Sequence, residues 1–260
     1  MDVIDYGVCR LALVAVRWKP DDREQQVTQL LFGDHYEVLD TSQDGKWLLI
    51  RVFTDRYEGW IDRKQHHAVT LEYFDQINHA NFKITTDLTA GILYKKSPMT
   101  ILMGSIVPVS QVELFKVEEQ LAFNGESKSL AQKRDFEYLK SIAMKYVNAP
   151  YQWGGKGPFG IDCSGLVQMV FKICGYPLSR DARQQAAQGR PVEEAKPGDL
   201  AFFHNPEGQI VHVGILLEDE KIIHASGHVR IDRLMEEGIL NLETKIYTHT
   251  LAAIRRVLED

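Results

Sequence analysis

One cysteine lies between an aspartate and a serine, at the point where an apolar helical pattern begins. In the run FGIDCSGLVQMVFKICG, Asp162 is a residue type favoured at a helix N-cap, which places Cys163 in the first helical turn. A helix N-terminus and a neighbouring imidazolium both lower the pKa of a thiol, and free backbone N–H groups there can bind an oxyanion. Cys163 is therefore a candidate nucleophile.

Two histidines are candidates for the base that a nucleophilic cysteine needs. His212 and His224 lie on consecutive predicted strands in GQIVHVGILLEDEKIIHASG. A three-residue loop places Gly214 opposite His224, so that the two imidazoles share one face as diagonal neighbours, whereas a two-residue loop puts them on opposite faces. With the longer loop, His212 is the base that faces Cys163, and His224 orients its ring and fixes its tautomer.

Two other interpretations of these residues stay open on spacing alone. A cysteine in an apolar helix is most often a core residue, which is the interpretation for Cys9 and Cys174. For Cys163, the small and polar neighbouring residues weaken the interpretation as a core residue. A Cys/His/His set can also hold a catalytic zinc with one open position, although no C-x-x-C or H-E-x-x-H spacing supports this.

Composition limits the class of protein. The chain has 260 residues, of which 44% are hydrophobic and 25% charged, and a formal net charge of -6, which favours neither nucleic acid nor an anionic membrane as a partner. Three cysteines are a poor disulfide framework and suit a reducing compartment. The first apolar run is broken by Arg10 and followed by Pro20, so it resembles a strand more than a secretory signal, and no apolar run is long enough to span a membrane. We expect a soluble, cytoplasmic protein.

Three segments follow from the pattern of turns and apolar runs. Residues 1–66 contain short predicted strands separated by turn residues, with a hairpin signal at Asp44-Gly45. Residues 67–125 show the same pattern of short strands and turn residues, with Pro98 at one of the interruptions. Each segment is therefore predicted to form a small β-barrel. The polar run NGESKSLAQKR is the predicted linker. In residues 126–260, two helical patterns precede a run of strands, which predicts an α+β domain.

The candidate residues stand in motifs that resemble a known family. APYQWGG, GIDCSGLV, KPGDLAFF, VHVGILL and IIHASG, in this order within residues 136–260, resemble the NlpC-type, papain-like cysteine peptidases of bacterial peptidoglycan turnover. The resemblance implies helices packed on an antiparallel sheet, with Cys163 as nucleophile, His212 as general base and His224 as third polar residue. It also implies that the Tyr151 hydroxyl lies near the oxyanion site, and that neither metal nor organic cofactor is required.

The chain as a whole resembles one subfamily of these enzymes. The segment from VAVRWKP to YEGWID resembles bacterial SH3-like domains, and two such barrels precede the catalytic domain in the γ-D-glutamyl-L-diamino acid endopeptidases. The resemblance implies an enzyme that cuts the γ-D-Glu–diamino acid bond of free murein peptides with an N-terminal L-Ala, during cell-wall recycling. We expect a monomer, although the sequence leaves the oligomeric state open. The sequence leaves open whether the diamino acid is meso-diaminopimelate or lysine.

Four further residues are predicted to bind the substrate. Asp181, in the motif SRDARQQ, matches the RD motif of the subfamily and is predicted to pair with the ammonium of L-Ala, with a cap or surface aspartate as the alternative. Tyr57 matches a tyrosine that the first barrel offers to the free end of the substrate, or else packs in the barrel. Ser164 and Asp162 complete the set, and a helix-capping role is the alternative for Ser164. Gln25 is a departure, because related sequences tend to carry an acid there.

Two alternative functions accompany this assignment. One is a different acyl-transfer reaction on the same scaffold, catalysed by an amidase or acyltransferase. The other is a catalytically idle module that binds wall peptides.

Overall fold

The structure is a computed structural model that describes residues 2–79, 82–107 and 122–259. The chain divides into two compact units, Met1–Gln132 and Lys133–Asp260. The first unit contains helix α1 (Leu71–Asn78), and its strands are β1 (Asp5–Val8), β2 (Leu13–Arg17), β3 (Gln26–Leu31), β4 (His35–Thr41), β5 (Trp47–Val52), β6 (Glu58–Asp62), β7 (Ala68–Val69), β8 (Lys83–Thr85), β9 (Thr89–Tyr94), β10 (Ser97–Leu102), β11 (Ile106–Val107), β12 (Ala122–Asn124) and β13 (Ser127–Ser129).

The first seven strands form one antiparallel sheet in the order β3-β2-β6-β5-β4-β1-β7. Strands β4 and β5 are joined by the hairpin predicted at Asp44-Gly45, where Gly45 has a φ of +71° that favours glycine. The sheet encloses an apolar core that includes Val16, Tyr36 and Ile50. Short strands and turn residues thus form a small β-domain in this part of the chain, as the sequence predicts.

The second half of this unit differs from the prediction of an all-β segment. Helix α1 begins after Thr70, whose hydroxyl accepts a hydrogen bond from the Tyr73 N–H. The strands form two three-stranded sheets, β10-β9-β12 and β11-β8-β13. Pro98 lies within β10, where an edge position tolerates a residue without an N–H. Part of the predicted linker is strand β13, and most of the predicted strand in ELFKVEEQLAFN lies outside the described residues.

The second unit combines three helices with a closed antiparallel sheet. Its elements are α2 (Phe136–Met144), β14 (Lys156–Gly157), β15 (Gly160–Ile161), α3 (Cys163–Ile173), α4 (Ala182–Gln185), β16 (Arg190–Pro191), β17 (Leu200–His204), β18 (Ile210–Leu216), β19 (Lys221–Ser226), β20 (His228–Leu234), β21 (Gly238–Leu240) and β22 (Tyr247–Arg256).

The large sheet of the second unit closes into a barrel. Its order is β16-β22-β17-β18-β19-β20-β21, and β22 pairs with β21 as well as with β17. This closure is possible because β22 is ten residues long, so that one part pairs with β21 and the rest with β17. An apolar cluster that includes Phe203, Leu216 and Ile222 fills the barrel. The resemblance implies an antiparallel sheet, and the structure adds that this sheet is closed through the two pairings of β22.

Helix α3 is the central helix of this unit. All of its residues except Lys172 are buried, and it packs on β18, β19 and α2. The helix ends at Gly175, which has a φ of +86°. Cys174 at its C-terminal end and Cys9 in the first unit are both buried core residues, as predicted. In the described part of the chain, helices are too short or too polar to cross a membrane.

The turn between β18 and β19 has the length that the candidate site requires. The Leu217 N–H donates to the Lys221 carbonyl at 2.8 Å, which leaves a three-residue loop. Gly214 consequently lies opposite His224, and the prediction that His212 and His224 share a face is confirmed.

Candidate active site

Asp162 organises the N-terminus of α3. One carboxylate oxygen accepts from the Gly165 N–H at 2.6 Å, and the other from the Gly154 N–H at 2.8 Å. The two glycine-containing segments must approach closely, since a Cβ on Gly165 would lie 2.3 Å from the Gly155 carbonyl oxygen. The cap and the loop together fix Cys163 in the first turn of the helix, as predicted.

The partner of Asp162 is a residue that the sequence pattern did not reveal. Arg180 is 1% exposed and donates to the two Asp162 oxygens at 3.0 and 2.7 Å, and to the Ser164 hydroxyl at 2.8 Å. Asp162 is therefore a buried capping residue with both oxygens bonded, and its contact with a substrate stays a prediction. For Ser164 these contacts favour the structural alternative. The only sequence signal for Arg180 is its place directly before Asp181.

We expect Arg180→Ala to destabilise the protein by roughly 3–5 kcal/mol, because it leaves the Asp162 carboxylate buried without its cation. The matched control is Arg233→Ala, since Arg233 forms an exposed pair with Glu220 at 3.6 Å and its loss should change stability little. Urea unfolding of both variants measures the difference. Equal stabilities would contradict this role for Arg180.

The environment of the Cys163 sulfur differs from the one expected of a pre-formed thiolate. Cys163 is 7% exposed, and the backbone N–H groups of Val213 and Ser164 lie near enough to its sulfur to favour the thiolate. Burial, and then the Asp162 charge, raise the pKa of the thiol to about 12, against the smaller opposing effect of these N–H groups. Desolvation thus outweighs the helix terminus in the unliganded protein, and Cys163 rests as a neutral thiol.

Three neighbouring strands each place one polar side chain in a hydrogen-bonded chain. His212 Nε2 lies 2.9 Å from His224 Nδ1, and His224 Nε2 lies 3.1 Å from an Asp232 oxygen. Gly214 allows β19 to pack closely here, because a Cβ there would lie 2.7 Å from the Ile222 Cδ1 and 3.0 Å from the His224 Cβ. Strand β18, which carries His212, packs against α3, and the Val213 N–H next to His212 lies near the Cys163 sulfur.

The charge on Asp232 determines where the imidazole protons lie. Although burial opposes ionisation, hydrogen bonds from His224, Arg230 and the Leu242 N–H hold the pKa of the Asp232 carboxyl well below its usual range. An ionised carboxylate only accepts, so the His224 nitrogen that faces it, Nε2, is the donor, and with a single proton on the ring Nδ1 is the acceptor. His212 then donates from Nε2, which leaves its Nδ1 as the basic nitrogen.

A third imidazole completes the surroundings of His212. The ring of His249, on β22, stacks on the His212 ring with centroids 4.1 Å apart and 26° between the planes. Burial first, and then the charges of His249 and His224, keep the pKa of His212 well below its ordinary value, so His212 is neutral at rest. One ligand atom from each of His212, His224 and His249 lies within 4.8 Å of the others, which makes this the described group that could hold a metal ion.

Tyr151 is close enough to Cys163 and Asp162 for their charges to act on it. Burial, and then these two charges, raise the pKa of the Tyr151 phenol, so that its hydroxyl stays protonated and can donate. The structure thus brings Tyr151 to the start of α3, near the candidate nucleophile.

The two predicted ligands of the substrate amine lie in different units. Asp181 precedes α4, is partly buried, and donates its N–H to Gln184 Oε1 at 3.2 Å. It follows Arg180 directly, so its backbone is adjacent to the Asp162 cluster. Tyr57 directly precedes β6 in the first unit and is partly buried.

Asp232 and His249 belong to the site but are not among the residues predicted from the sequence, because they reach it through the pairing of their strands. Asp232 lies in HVRIDRL, whose alternation of Val229 and Ile231 with polar residues is a strand signal that could have revealed β20. His249 lies near the N-terminal end of β22, before the apolar part of that strand. Only tertiary pairing shows that either residue reaches His212.

Comparisons with known proteins agree with this geometry. Residues 148–255 match the NlpC/P60 family, and residues 16–65 match the bacterial dipeptidyl-peptidase SH3 domain. The chain is 30% identical to the γ-D-glutamyl-L-lysine dipeptidyl-peptidase of Bacillus subtilis, over 90% of this chain and 81% of the relative. It is 27% identical to dipeptidyl-peptidase 6 of Lysinibacillus sphaericus, over 84% and 88% of the two chains. A crystal structure of an NlpC/P60 protein from Bacillus cereus has the same fold, with a TM-score of 0.83, 21% identity, and coverage of 98% of this chain and 100% of the other.

Proposed function

This chain belongs to the NlpC/P60 family of cysteine peptidases, with a papain-like domain and an N-terminal SH3-like domain, and we propose that it cleaves the γ-D-Glu–diamino acid bond of free murein peptides that begin with L-Ala. The observation that carries the proposal is Cys163 at a helix N-terminus beside the chain of His212, His224 and Asp232. Two relatives that this chain matches over most of their length are named dipeptidyl-peptidases. Their names support a reaction that removes a dipeptide from the substrate.

The proposed reaction begins with Cys163 as a neutral thiol and His212 as a neutral imidazole. His212 Nδ1 takes the proton of the Cys163 thiol as Sγ attacks the γ-carbonyl carbon of D-Glu. The oxyanion that forms accepts hydrogen bonds from the Cys163 backbone N–H and the Tyr151 hydroxyl, which is held in its protonated form. His212, now an imidazolium, gives its proton to the leaving amine of the diamino acid.

The second half of the reaction regenerates the enzyme. His212 removes a proton from water, which attacks the thioester carbon, and the thiolate leaves with L-Ala-D-Glu as product. The His212 proton then returns to the Cys163 sulfur. The ionised Asp232 stabilises the cationic state through His224 in both halves, because each step passes through a charged His212 in a buried site.

Several features of the proposal concern the protein beyond the reaction. We propose that residues 67–125 form a second SH3-like barrel, supported by the two small sheets in the described part, and that Tyr57 of the first barrel contacts the free end of the substrate. A role in wall recycling and a cytoplasmic location are further proposals, the latter supported by the low cysteine content of three residues in 260. Fractionation of cells tests the location, and light scattering tests the predicted monomer.

The first experiment compares four peptides by mass spectrometry of the products. They are L-Ala-γ-D-Glu-meso-diaminopimelate, L-Ala-γ-D-Glu-L-Lys and the N-acetylated form of each. Cleavage of the free peptides alone supports the proposal and shows which diamino acid is preferred. Cleavage of both forms retains the peptidase but contradicts the free-amine requirement. Acyl transfer to added amines, or binding without turnover, would favour the two alternative functions.

Asp181→Asn is expected to lower kcat/KM for the free peptide by about 10- to 100-fold, because it removes a charge-assisted contact worth roughly 1.5–3 kcal/mol. Asparagine is also a good N-cap, so the start of α4 is preserved. The control is Asp135→Asn, because Asp135 is the N-cap of α2 and its change should leave kcat/KM for the same peptide unaltered. An equal loss for both variants would mean that Asp181 supports the fold and does not bind the amine.

A further inference from the structure

The three imidazoles of His212, His224 and His249 form a cluster that the peptidase reaction uses only in part. One ring nitrogen of each lies within 4.8 Å of the others, and the first two residues are buried while His249 is partly exposed. We propose that this three-histidine cluster binds a divalent transition-metal ion of the Zn²⁺ class, and that the bound ion inhibits the enzyme.

The distances between the imidazole nitrogens of the cluster fit a small metal ion after a modest movement of one ring. In tetrahedral zinc sites with Zn–N distances of 2.0–2.1 Å, ligand nitrogens lie about 3.4 Å apart. The His212–His224 pair, at 2.9 Å, is already within this spacing. His249 provides the remaining movement, because its ring is partly exposed and can rotate away from its stacked position on His212.

In His224 and His249, the ring nitrogen that points away from the cluster has a polar partner, as in metal-binding histidines. Such a histidine usually has its second ring nitrogen bonded to a carboxylate or another polar group, which fixes the tautomer and orients the ring. His224 Nε2 is bonded to the buried Asp232 carboxylate at 3.1 Å, so Nδ1 faces the cluster. His249 Nδ1 lies 2.8 Å from the Thr248 hydroxyl, which leaves Nε2 for a ligand.

Inhibition follows from the nitrogens that the ion would occupy. An ion bound to His224 Nδ1 breaks the hydrogen bond from His212 and uses a lone pair that the proton relay needs. This consequence rests on the proposed function, whereas binding of the ion does not. The two can therefore be measured separately.

Binding is tested by titrating Zn²⁺ into the full chain carrying Cys163→Ala and measuring the heat of binding by calorimetry. Alanine removes the thiol, so only the imidazoles remain as ligands. We expect one ion per chain, and a loss of at least about 100-fold in affinity when His249→Phe is added, because a direct ligand is removed. Phenylalanine preserves the ring that stacks on His212. The matched control adds His204→Phe, which changes a histidine bonded to the Asn205 carbonyl and outside the cluster, and should leave affinity unchanged.

A second readout follows activity in the chain with its cysteine intact. Zn²⁺ should inhibit cleavage, and a chelator should restore it. In the His249→Phe variant, inhibition measured against the rate of the same variant without metal should require a higher Zn²⁺ concentration. Absence of Zn²⁺ binding by Cys163→Ala, or equal affinity with and without His249→Phe, would overturn the site. Binding by the imidazoles with no effect on turnover would overturn the inhibition, and absence of any turnover without metal would count against the proposed function alone.

Discussion

Replacing Cys163 with alanine is expected to lower turnover of the free murein peptide by a factor of about 10⁴ to 10⁶, since no other group in the site can form the thioester. The sulfur is the only side-chain atom that takes part in the proposed reaction, and alanine retains the backbone N–H and fits the same buried position at the start of α3. The variant should therefore still bind substrate. Mass spectrometry of the products, at matched protein concentrations, measures the loss.

Cys174→Ala is the matched control for this change. Cys174 is fully buried at the other end of the same helix, so its loss removes a thiol from the same element without reaching the site. We expect lower thermal stability and unchanged turnover per folded molecule. If the Cys174 variant lost activity as completely as the Cys163 variant, the assignment of the nucleophile would be wrong.

The second large effect is expected at Asp232, through the tautomers of two histidines. Asp232→Asn should lower kcat by about 10³- to 10⁴-fold, by analogy with loss of the carboxylate in a catalytic triad. An asparagine can present its NH₂ group to His224 Nε2, which moves the His224 proton to Nδ1 and the His212 proton to the nitrogen that must accept the thiol proton. An asparagine that presents its oxygen restores the tautomer but not the negative charge that stabilises the imidazolium.

Asp199→Asn distinguishes a catalytic effect from a structural one. Asp199 is 1% exposed in the same unit and is paired with Arg256, at 2.7 Å, as Asp232 is paired with Arg230. Both variants should lose stability, but only Asp232→Asn should lose activity in the molecules that remain folded. A normal rate for folded Asp232→Asn would show that His224 holds His212 without help from the carboxylate.

The local parts of the site were predictable, because each depends on a few consecutive residues. The aspartate before Cys163 indicates a cap, and the length of the loop after Leu217 decides the face on which His224 lies. Both relations follow from backbone geometry, and both are confirmed by the structure. Helix α1 was missed because its eight residues stand within a segment otherwise made of short strands.

The parts that were not predictable depend on pairings between distant segments. Arg180 is an ordinary cation in sequence, and only burial against Asp162 shows its role. Burial also reverses the expected shift of the Cys163 pKa, since the effect of desolvation is invisible to a pattern that shows only small and polar neighbours. Asp232 and His249 reach the site through β20 and β22, whose places in the barrel cannot be deduced from local alternation.

The closure of the barrel by β22 has a consequence for biosynthesis. This strand is the last one in the described chain, yet it covers the free edges of both β17 and β21. While the ribosome is still adding residues 247–256, those edges are open and can pair with other nascent chains, which is a route to aggregation. Because His249 arrives with the same strand, a chain interrupted before β22 would lack both a closed barrel and the third imidazole beside His212. The enzyme is therefore expected to mature only after its C-terminal strand has left the ribosome.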